Sequence, residues 1–208
     1  IVQITISEED VNKDYSVAHA VIGDAKAVLA QLIEEVRGRG RGDSRVAEEV
    51  KAVKAEFLKE WMPRLTSDEV PISPYRVIFD LMNTVDRRRT IITHDAGNPR
   101  DQLVPFWESL VPHGYVGWGK STQLGTGLGL AMGAKLAAPD RLSINLMGDV
   151  AFGMVGMDFE TAVRSKISIL TVLLNNGLMG GYDKYLPVST ERWGLRYVSG
   201  DYAKVAEA

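Results

Sequence analysis

The sequence predicts an α/β fold: a doubly wound parallel sheet flanked by helices. Three short segments, at residues 90–93, 142–147 and 168–174, are predicted as strands; the second is an apolar run too short for an ordinary helix, and the third is of the buried type. Helical patterns separate the last of these strands from the one before it, and strand, helix and strand in that order form a parallel βαβ unit. A strand at 2–6 and a helix at 25–36 come first, and these two elements cannot bury their apolar faces alone.

The composition is that of an ordinary globular protein, with 45% hydrophobic and 25% charged residues. The net charge of -3 argues against a dedicated nucleic-acid binder. No uninterrupted apolar run reaches the length of a transmembrane helix. The chain has no cysteine, which excludes disulfides and cysteine-bound metals and is compatible with a cytosolic enzyme. We therefore expect a cytoplasmic protein that has neither nucleic acid nor a membrane as a partner.

Both ends of the sequence suggest a piece of a longer polypeptide. It starts inside a predicted strand without a methionine, and it stops at AKVAEA (203–208), which is predicted as an unfinished helix. We expect one domain at 1–40 and a second at 41–208 that is incomplete at its C-terminus. The arginine–glycine tract at 37–42 is interpreted as a flexible connector, and an RNA-binding tract is the alternative.

The first half of the chain is predicted to be mainly helical. Asp24 is the expected N-cap of the helix at 25–36, whose apolar face carries Val28, Leu29, Leu32 and Val36. A second helix is expected at 45–61, ended by Pro63. The hydroxyl of Ser73 and the ring of Pro74 indicate the start of a third helix. Its expected buried stripe is Val77, Ile78, Leu81, Met82 and Val85.

The second half alternates strands and helices. The strand at 90–93 ends in a glycine-containing turn at 94–98, and a short helix is expected at 103–110. A glycine-rich helix is expected to start at Leu124 and to end at Pro139 and Asp140. The GxGxG spacing of its glycines also occurs in dinucleotide-binding loops, but the acidic residue that such a site needs at the end of the following strand is missing at the required spacing.

Two polar turns bracket the last βαβ unit. Gly148 and Asp149 follow the strand at 142–147, and Asn176 follows the strand at 168–174. Parallel strands point the same way, so both turns lie at the carboxyl edge of the sheet, where open α/β sheets bind ligands. A carboxylate, an amide oxygen and the carbonyl of Leu178 are the oxygen donors that a magnesium ion holding a diphosphate prefers.

This arrangement resembles the thiamine diphosphate motif, in which Gly-Asp and Asn-Asn flank a spacer. Here the segment is GDVAFGMVGMDFETAVRSKISILTVLLNN at 148–176. Upstream, LGTGLGLAMGAKLAAPDR at 124–141 resembles the glycine-rich helix of acetolactate-synthase-type enzymes. The family is that of the thiamine-diphosphate-dependent decarboxylases and carboligases. The resemblance identifies residues 1–40 as the end of a central domain and implies thiamine diphosphate and Mg²⁺ as cofactors.

The resemblance also implies which residues hold the cofactor. The expected metal ligands are Asp149, Asn176 and the carbonyl of Leu178. The expected cofactor-binding residues are Gly97, Asn98, Leu124, Gly148, Asp149, Val150, Ala151, Asn176 and Gly180. Leu124 takes the position of an apolar wedge under the cofactor, and an ordinary core residue is the equal alternative. His94 is either an acid–base group or a structural histidine at a strand end.

The resemblance implies an enzyme that cleaves or forms carbon–carbon bonds next to a carbonyl of a small 2-keto acid, as a homodimer or homotetramer. In the resembled family the glutamate that activates the cofactor comes from another domain, so we name no catalytic residue and expect this chain alone to be inactive. Alternatives within the family act on oxalyl thioesters or aromatic 2-keto acids. A non-catalytic structural or regulatory homologue is the alternative outside enzymes. The chain shows no GxSxG elbow, which argues against a hydrolase.

Overall fold

The structure, a computed structural model, describes residues 1–39, 44–117 and 123–208. These residues form two compact units, Ile1–Phe57 and Leu58–Ala208. The domain boundary predicted between 40 and 41, and residues 40–42 of the arginine–glycine tract, lie outside the described residues. That boundary therefore stays a prediction.

The first unit begins with two parallel strands and a helix. Strand β1 (Val2–Thr5) pairs with β2 (His19–Ile22), and α1 (Ala25–Arg37) follows. The Asp24 side chain accepts the Ala27 N–H at 3.0 Å, which confirms the predicted cap. The sequence did not predict β2. Of the predicted apolar face of α1, Val28 is buried while the other three side chains are exposed, because a two-stranded sheet covers little of a helix.

Helix α2 (Ser44–Leu65) runs one turn further than predicted and contains Pro63. The prediction that Pro63 ends this helix is therefore wrong. A proline near a helix end removes only one N–H donor. The Thr66 N–H donates to the Met62 carbonyl at 3.0 Å, so the last turn still closes, and this turn buries Leu65.

Helix α3 (Pro74–Thr84) starts at the predicted proline. Ile78 lies at the buried centre of its stripe, and the other four stripe residues are half-buried. Ser73 occupies the N-cap position, but its hydroxyl makes no capping hydrogen bond, so this detail of the prediction is wrong. Its carbonyl instead accepts the Val77 N–H at 3.1 Å, which begins the helical ladder.

Within the described part of the chain, the second unit is built on a four-stranded parallel sheet, which confirms the predicted α/β class. Its strands are β3 (Thr90–His94), β4 (Tyr115–Val116), β5 (Leu142–Gly148) and β6 (Leu170–Leu174). Their order is β4-β3-β5-β6. The chain leaves β3 towards one edge and β5 towards the other, so the topological switch point of the sheet lies between β3 and β5.

The remaining helices of the second unit are shorter than α2 and lie between or after these strands. They are α4 (Asn98–Leu103), α5 (Thr126–Ala137), α6 (Asp149–Val155), α7 (Asp158–Arg164), α8 (Tyr182–Tyr185), α9 (Pro187–Trp193) and α10 (Tyr202–Glu207). The helix predicted at 103–110 is wrong: α4 ends where it was expected to start. Pro99 in the first turn of α4 favours the earlier start. Within the described residues, no helix is long and apolar enough to cross a bilayer.

Helix α5 packs closely on β3 and β5. The Thr93 hydroxyl donates to the Gly127 carbonyl at 3.1 Å, and the Ser143 hydroxyl donates to the Ala131 carbonyl at 2.7 Å. A Cβ at Gly127 would lie 2.5 Å from Asn145 Oδ1 and 2.9 Å from the His94 carbonyl oxygen. The glycine therefore allows the helix backbone to touch the sheet, and this contact fixes the helix beside the strand ends.

Candidate cofactor-binding site

A cleft of about 1280 Å³ opens at the carboxyl ends of β3, β5 and β6. It therefore lies beside the topological switch point, which is where open α/β sheets bind ligands. Its lining includes the turn after β3, the start of α6, the turn after β6, the segment 69–73 and the first turn of α3. These segments all belong to the second unit.

Asp149 is a buried charged residue that lines the cleft. It follows β5 directly as the first residue of α6 and is 2% exposed. Its Oδ1 accepts the Val150 N–H at 2.8 Å, and its Oδ2 accepts the Asn176 and Gly177 N–H groups at 3.1 and 2.6 Å. Among the residues that the structure describes, no basic side chain pairs with Asp149. The carboxylate thus ties the end of β5 to the turn after β6.

The turn after β6 is folded around Asn176. The amide oxygen of Asn176 accepts the Leu178 N–H at 3.1 Å, and Gly177 adopts a φ of 67°, which glycine tolerates without strain. The chain then pairs with a returning segment, where the Met179 N–H donates to Arg196 and the Val198 N–H donates to Gly177. After Leu178 the chain is therefore first paired with the returning segment and then becomes helical at α8.

All the residues that the sequence suggested as cofactor or metal ligands line this one cleft. They are Gly97, Asn98, Leu124, Gly148, Asp149, Val150, Ala151, Asn176, Leu178 and Gly180. The turns after β3 and β6 approach each other here, since a Cβ added at Gly180 would lie 3.7 Å from the side-chain amide nitrogen of Asn98. The structure brings these residues together, and their roles as ligands stay predictions.

Leu124 contacts both of the environments predicted for it, the cleft and the core. It lines the cleft, and it packs against a buried cluster of Met147, Ala151 and Phe152. The side chain is half-buried. It is therefore a core contact on one side and a wall of the cleft on the other.

His94 does not line the cleft. Its side chain is 2% exposed, its Nδ1 lies 3.1 Å from the Asp95 carbonyl oxygen, and its ring packs 5.5 Å from that of Tyr115. Burial lowers the pKa of the His94 imidazole, with a further contribution from the charge of Arg100. These contacts favour the structural interpretation of His94 over an acid–base role.

Sequence reasoning missed Asp95, which is completely buried at the end of β3. Its carboxylate accepts N–H groups of Ala96, Gly125 and Gly127 at distances from 2.8 to 3.1 Å. A signal was available: an acidic residue directly follows a buried strand and precedes Ala-Gly, just as Asp149 directly follows β5. The hydrogen bond from the Gly125 N–H to Asp95 was not visible in the sequence, because the two residues are thirty positions apart.

The oxygen donors of the cleft fit a hard divalent ion. A buried carboxylate without a cationic partner is unfavourable unless hydrogen bonds or a metal compensate it. Asp149 Oδ1 accepts one hydrogen bond and so keeps a lone pair, and so does the amide oxygen of Asn176. The described residues contain no cluster of three or more histidine, cysteine or acidic side chains. A metal ion in this cleft would therefore have one carboxylate ligand, and its other protein ligands would be amide and carbonyl oxygens.

Comparison with known proteins gives the family. Residues 95–208 match the family described as "Thiamine pyrophosphate enzyme, C-terminal TPP binding domain". The chain therefore belongs to this family of thiamine-pyrophosphate-dependent enzymes, and the matched region contains the whole cleft except the segment 69–77. The resemblance found in the sequence is confirmed.

Three curated relatives indicate the range of the family. The chain is 26% identical to a probable acetolactate synthase large subunit of Methanococcus aeolicus, over 86% of this chain and 32% of the relative. It is 32% identical to the acetolactate synthase large subunit of Mycobacterium tuberculosis, over 79% of this chain and 29% of the relative. It is 29% identical to the 2-hydroxyacyl-CoA lyase of Arabidopsis thaliana, over 88% of this chain and 33% of the relative. The chain thus spans about a third of the length of these relatives.

Proposed function

We propose that this chain supplies the diphosphate- and magnesium-binding half of the active site of an enzyme that cleaves or forms carbon–carbon bonds next to a carbonyl. The observation that carries the proposal is the position of Asp149. This buried carboxylate lacks a basic partner among the described residues and lies at the switch point of the sheet, hydrogen-bonded to the turn of Asn176. A diphosphate-bound cation is the group that such a donor set accepts.

The proposed metal ligands are Asp149 Oδ1, Asn176 Oδ1 and the carbonyl of Leu178. The backbone hydrogen bonds beside Leu178 use the carbonyls of Gly177 and Arg196, so they do not occupy its own. Water and diphosphate oxygens would complete the six positions that magnesium requires. Three hydrogen bonds hold the Asp149 carboxylate beside the turn of Asn176.

The remaining cleft residues are proposed to hold the diphosphate and the ring that follows it. Gly97 has a φ of 80° and no atom near its Cβ position, so it lets the turn after β3 open towards the ligand. Asn98 and Gly180 close the cleft from opposite turns. Thiamine diphosphate supplies an electron sink for the bond next to the carbonyl. The cleft residues would orient the cofactor and exclude water, and Leu124 would be the apolar wedge that supports it.

For the substrate we propose a small 2-keto acid, with acetolactate-synthase-like chemistry. The two acetolactate synthase relatives support this choice. The lyase relative supports a second candidate, cleavage of a 2-hydroxyacyl thioester. We further propose a homodimer or homotetramer in the cytoplasm, and that the glutamate needed for activation comes from outside these residues. This chain alone is then expected to bind the cofactor weakly and to turn over no substrate.

Two measurements on the full-length protein test the proposal. Calorimetry with thiamine diphosphate should show binding with Mg²⁺ and much weaker binding with a chelator. Product analysis should then show acetolactate from pyruvate, or an aldehyde and a formyl thioester from a 2-hydroxyacyl thioester. Absence of magnesium-dependent binding would overturn the proposed site, whereas binding without any turnover would favour the non-catalytic homologue.

A further inference from the structure

The Asp95 carboxylate has a role that the cofactor ligands do not account for. It is completely buried and fixed to the sheet, because its own N–H donates to the Leu146 carbonyl at 2.8 Å. Its Oδ1 accepts the Gly125 N–H at 2.9 Å, and its Oδ2 accepts the Gly127 N–H at 3.0 Å. Both oxygens act as acceptors, which is the hydrogen-bonding capacity of a carboxylate.

These bonds take the place of an ordinary helix cap. The first N–H groups of a helix have no partner within the helix, and a polar side chain at the N-cap normally accepts one of them. The N-cap of α5 is Gly125, which has no side chain, and no side-chain cap forms there. Asp95 supplies the missing acceptors from the end of β3, and its negative charge lies at the positive end of the helix.

The same bonds determine where the cleft wall stands. Gly125 has a φ of 94°, and a Cβ added there would lie 2.4 Å from the Val155 side chain, so the backbone of Gly125 packs closely against the end of α6. Leu124, its neighbour, lines the cleft. A shift of Gly125 would therefore shift Leu124 relative to the donors at the ends of β5 and β6.

We propose that Asp95 is a positioning residue, which holds Leu124 at the wall of the cleft through the N–H groups of Gly125 and Gly127. This inference rests on the proposed function, since Leu124 is the side chain expected to support the cofactor. Asp95 itself does not line the cleft. It acts on the reaction only through the backbone that it fixes.

Asp95→Asn in the full-length protein is the primary variant. The amide keeps one acceptor and turns a donor towards an N–H group, so the hold on α5 weakens while the shape stays the same. Asp140→Asn is the matched control, because it makes the same chemical change at an exposed site beyond the other end of α5. Circular dichroism confirms folding. Asp95→Glu keeps the charge, displaces the oxygens by one methylene, and serves if Asp95→Asn does not fold.

The first readout needs no cofactor. Hydrogen exchange should become faster at Gly125 and Gly127 in Asp95→Asn and stay unchanged in Asp140→Asn. The second readout is turnover: kcat should fall by about 10- to 100-fold, the loss expected when a reacting group is misplaced by about an ångström. The dissociation constant for thiamine diphosphate should change less than kcat, since the metal ligands are untouched.

A double-mutant cycle decides whether Asp95 acts through Leu124. In a Leu124→Ala background, Asp95→Asn should lower kcat by much less than it does in the wild type, because the side chain that it positions is gone. Equal losses in both backgrounds, unchanged exchange, or failure of both Asp95 variants to fold would each overturn the proposal. A wild type that binds no thiamine diphosphate would instead overturn the proposed function, and the exchange result would still report on the contact of Asp95 with α5.

Discussion

Asp149 Oδ2 accepts the Asn176 N–H at 3.1 Å, so the residue after β5 holds the backbone of the residue after β6. The two strands are neighbours in the sheet, with Gly148 paired to Leu174. The Asp149 carboxylate therefore fixes the turn that carries the second proposed oxygen donor. The two proposed metal ligands are joined by a direct hydrogen bond.

The first prediction concerns this pair. Asp149→Ala should abolish magnesium-dependent binding of thiamine diphosphate, because the ion loses its only proposed charged protein ligand and the Asn176 turn loses its anchor. Asn176→Ala should weaken binding less, since water replaces a neutral oxygen more easily. Titration calorimetry of the full-length protein at fixed Mg²⁺ measures both.

Asp158→Ala is the control for this pair, because it removes an exposed carboxylate at the start of α7. Its affinity for the cofactor should equal that of the wild type. An unchanged affinity in Asp149→Ala would remove the metal assignment altogether. A larger loss in Asn176→Ala than in Asp149→Ala would reverse the proposed ranking of the two ligands.

The sequence predicted the sheet and its polar edge because both depend on local patterns. Short apolar runs and the turns that end them are visible within a few residues, so Asp149 and Asn176 were found together. Asp95 was missed as the acceptor for the first N–H groups of α5 because its partners, Gly125 and Gly127, are remote in sequence and donate only through the backbone. Pro63 was misjudged because the burial of Leu65 outweighs one lost hydrogen bond, and burial is a tertiary property.

The second prediction separates the two environments of Leu124. If it supports the cofactor, Leu124→Ala should reduce kcat strongly and lower the melting temperature little, because the side chain is only half-buried. Leu128→Ala is the matched control on the same helix, since Leu128 is completely buried. That truncation should cost about 2–5 kcal/mol of stability. A melting curve and a rate measurement on each variant distinguish the roles, and normal turnover in Leu124→Ala would leave it a core residue.

The third prediction concerns the close approach of α5 to the sheet. Gly127→Ala should destabilise the protein by about 1–3 kcal/mol, because its Cβ would lie 2.5 Å from Asn145 Oδ1 and 2.9 Å from the His94 backbone. Gly133→Ala makes the same change further along the helix, where no atom lies within 4 Å. It should stabilise the protein by roughly 0.5–1 kcal/mol, the gain expected for alanine in a helix interior. Urea unfolding measures both, and equal effects would show that α5 does not pack on the sheet as described.

The last prediction is a pH dependence of stability that comes from His94. Burial lowers the pKa of its imidazole below the usual value of about 6.5, and Arg100 adds to this effect. The hydrogen bond to the Asp95 carbonyl and the charges of Asp95 and Asp101 oppose it without cancelling it. In the unfolded chain the imidazole binds a proton below about pH 6.5. In the folded protein it stays neutral until the pH falls to its lowered pKa.

The unfolded state therefore holds more protons in this window, and stability falls as the pH drops through it. The free energy of unfolding should decrease from about pH 7 towards pH 5, with a slope from this group of at most about 1.4 kcal/mol per pH unit. His94→Asn should remove that part of the slope, although it lowers stability at every pH. His113→Asn controls for the loss of an imidazole, because His113 is exposed and asparagine tolerates its φ of 56°. Urea unfolding at half-unit steps of pH gives the slopes, and an identical slope in the wild type and His94→Asn would mean that the buried imidazole does not resist protonation in the fold.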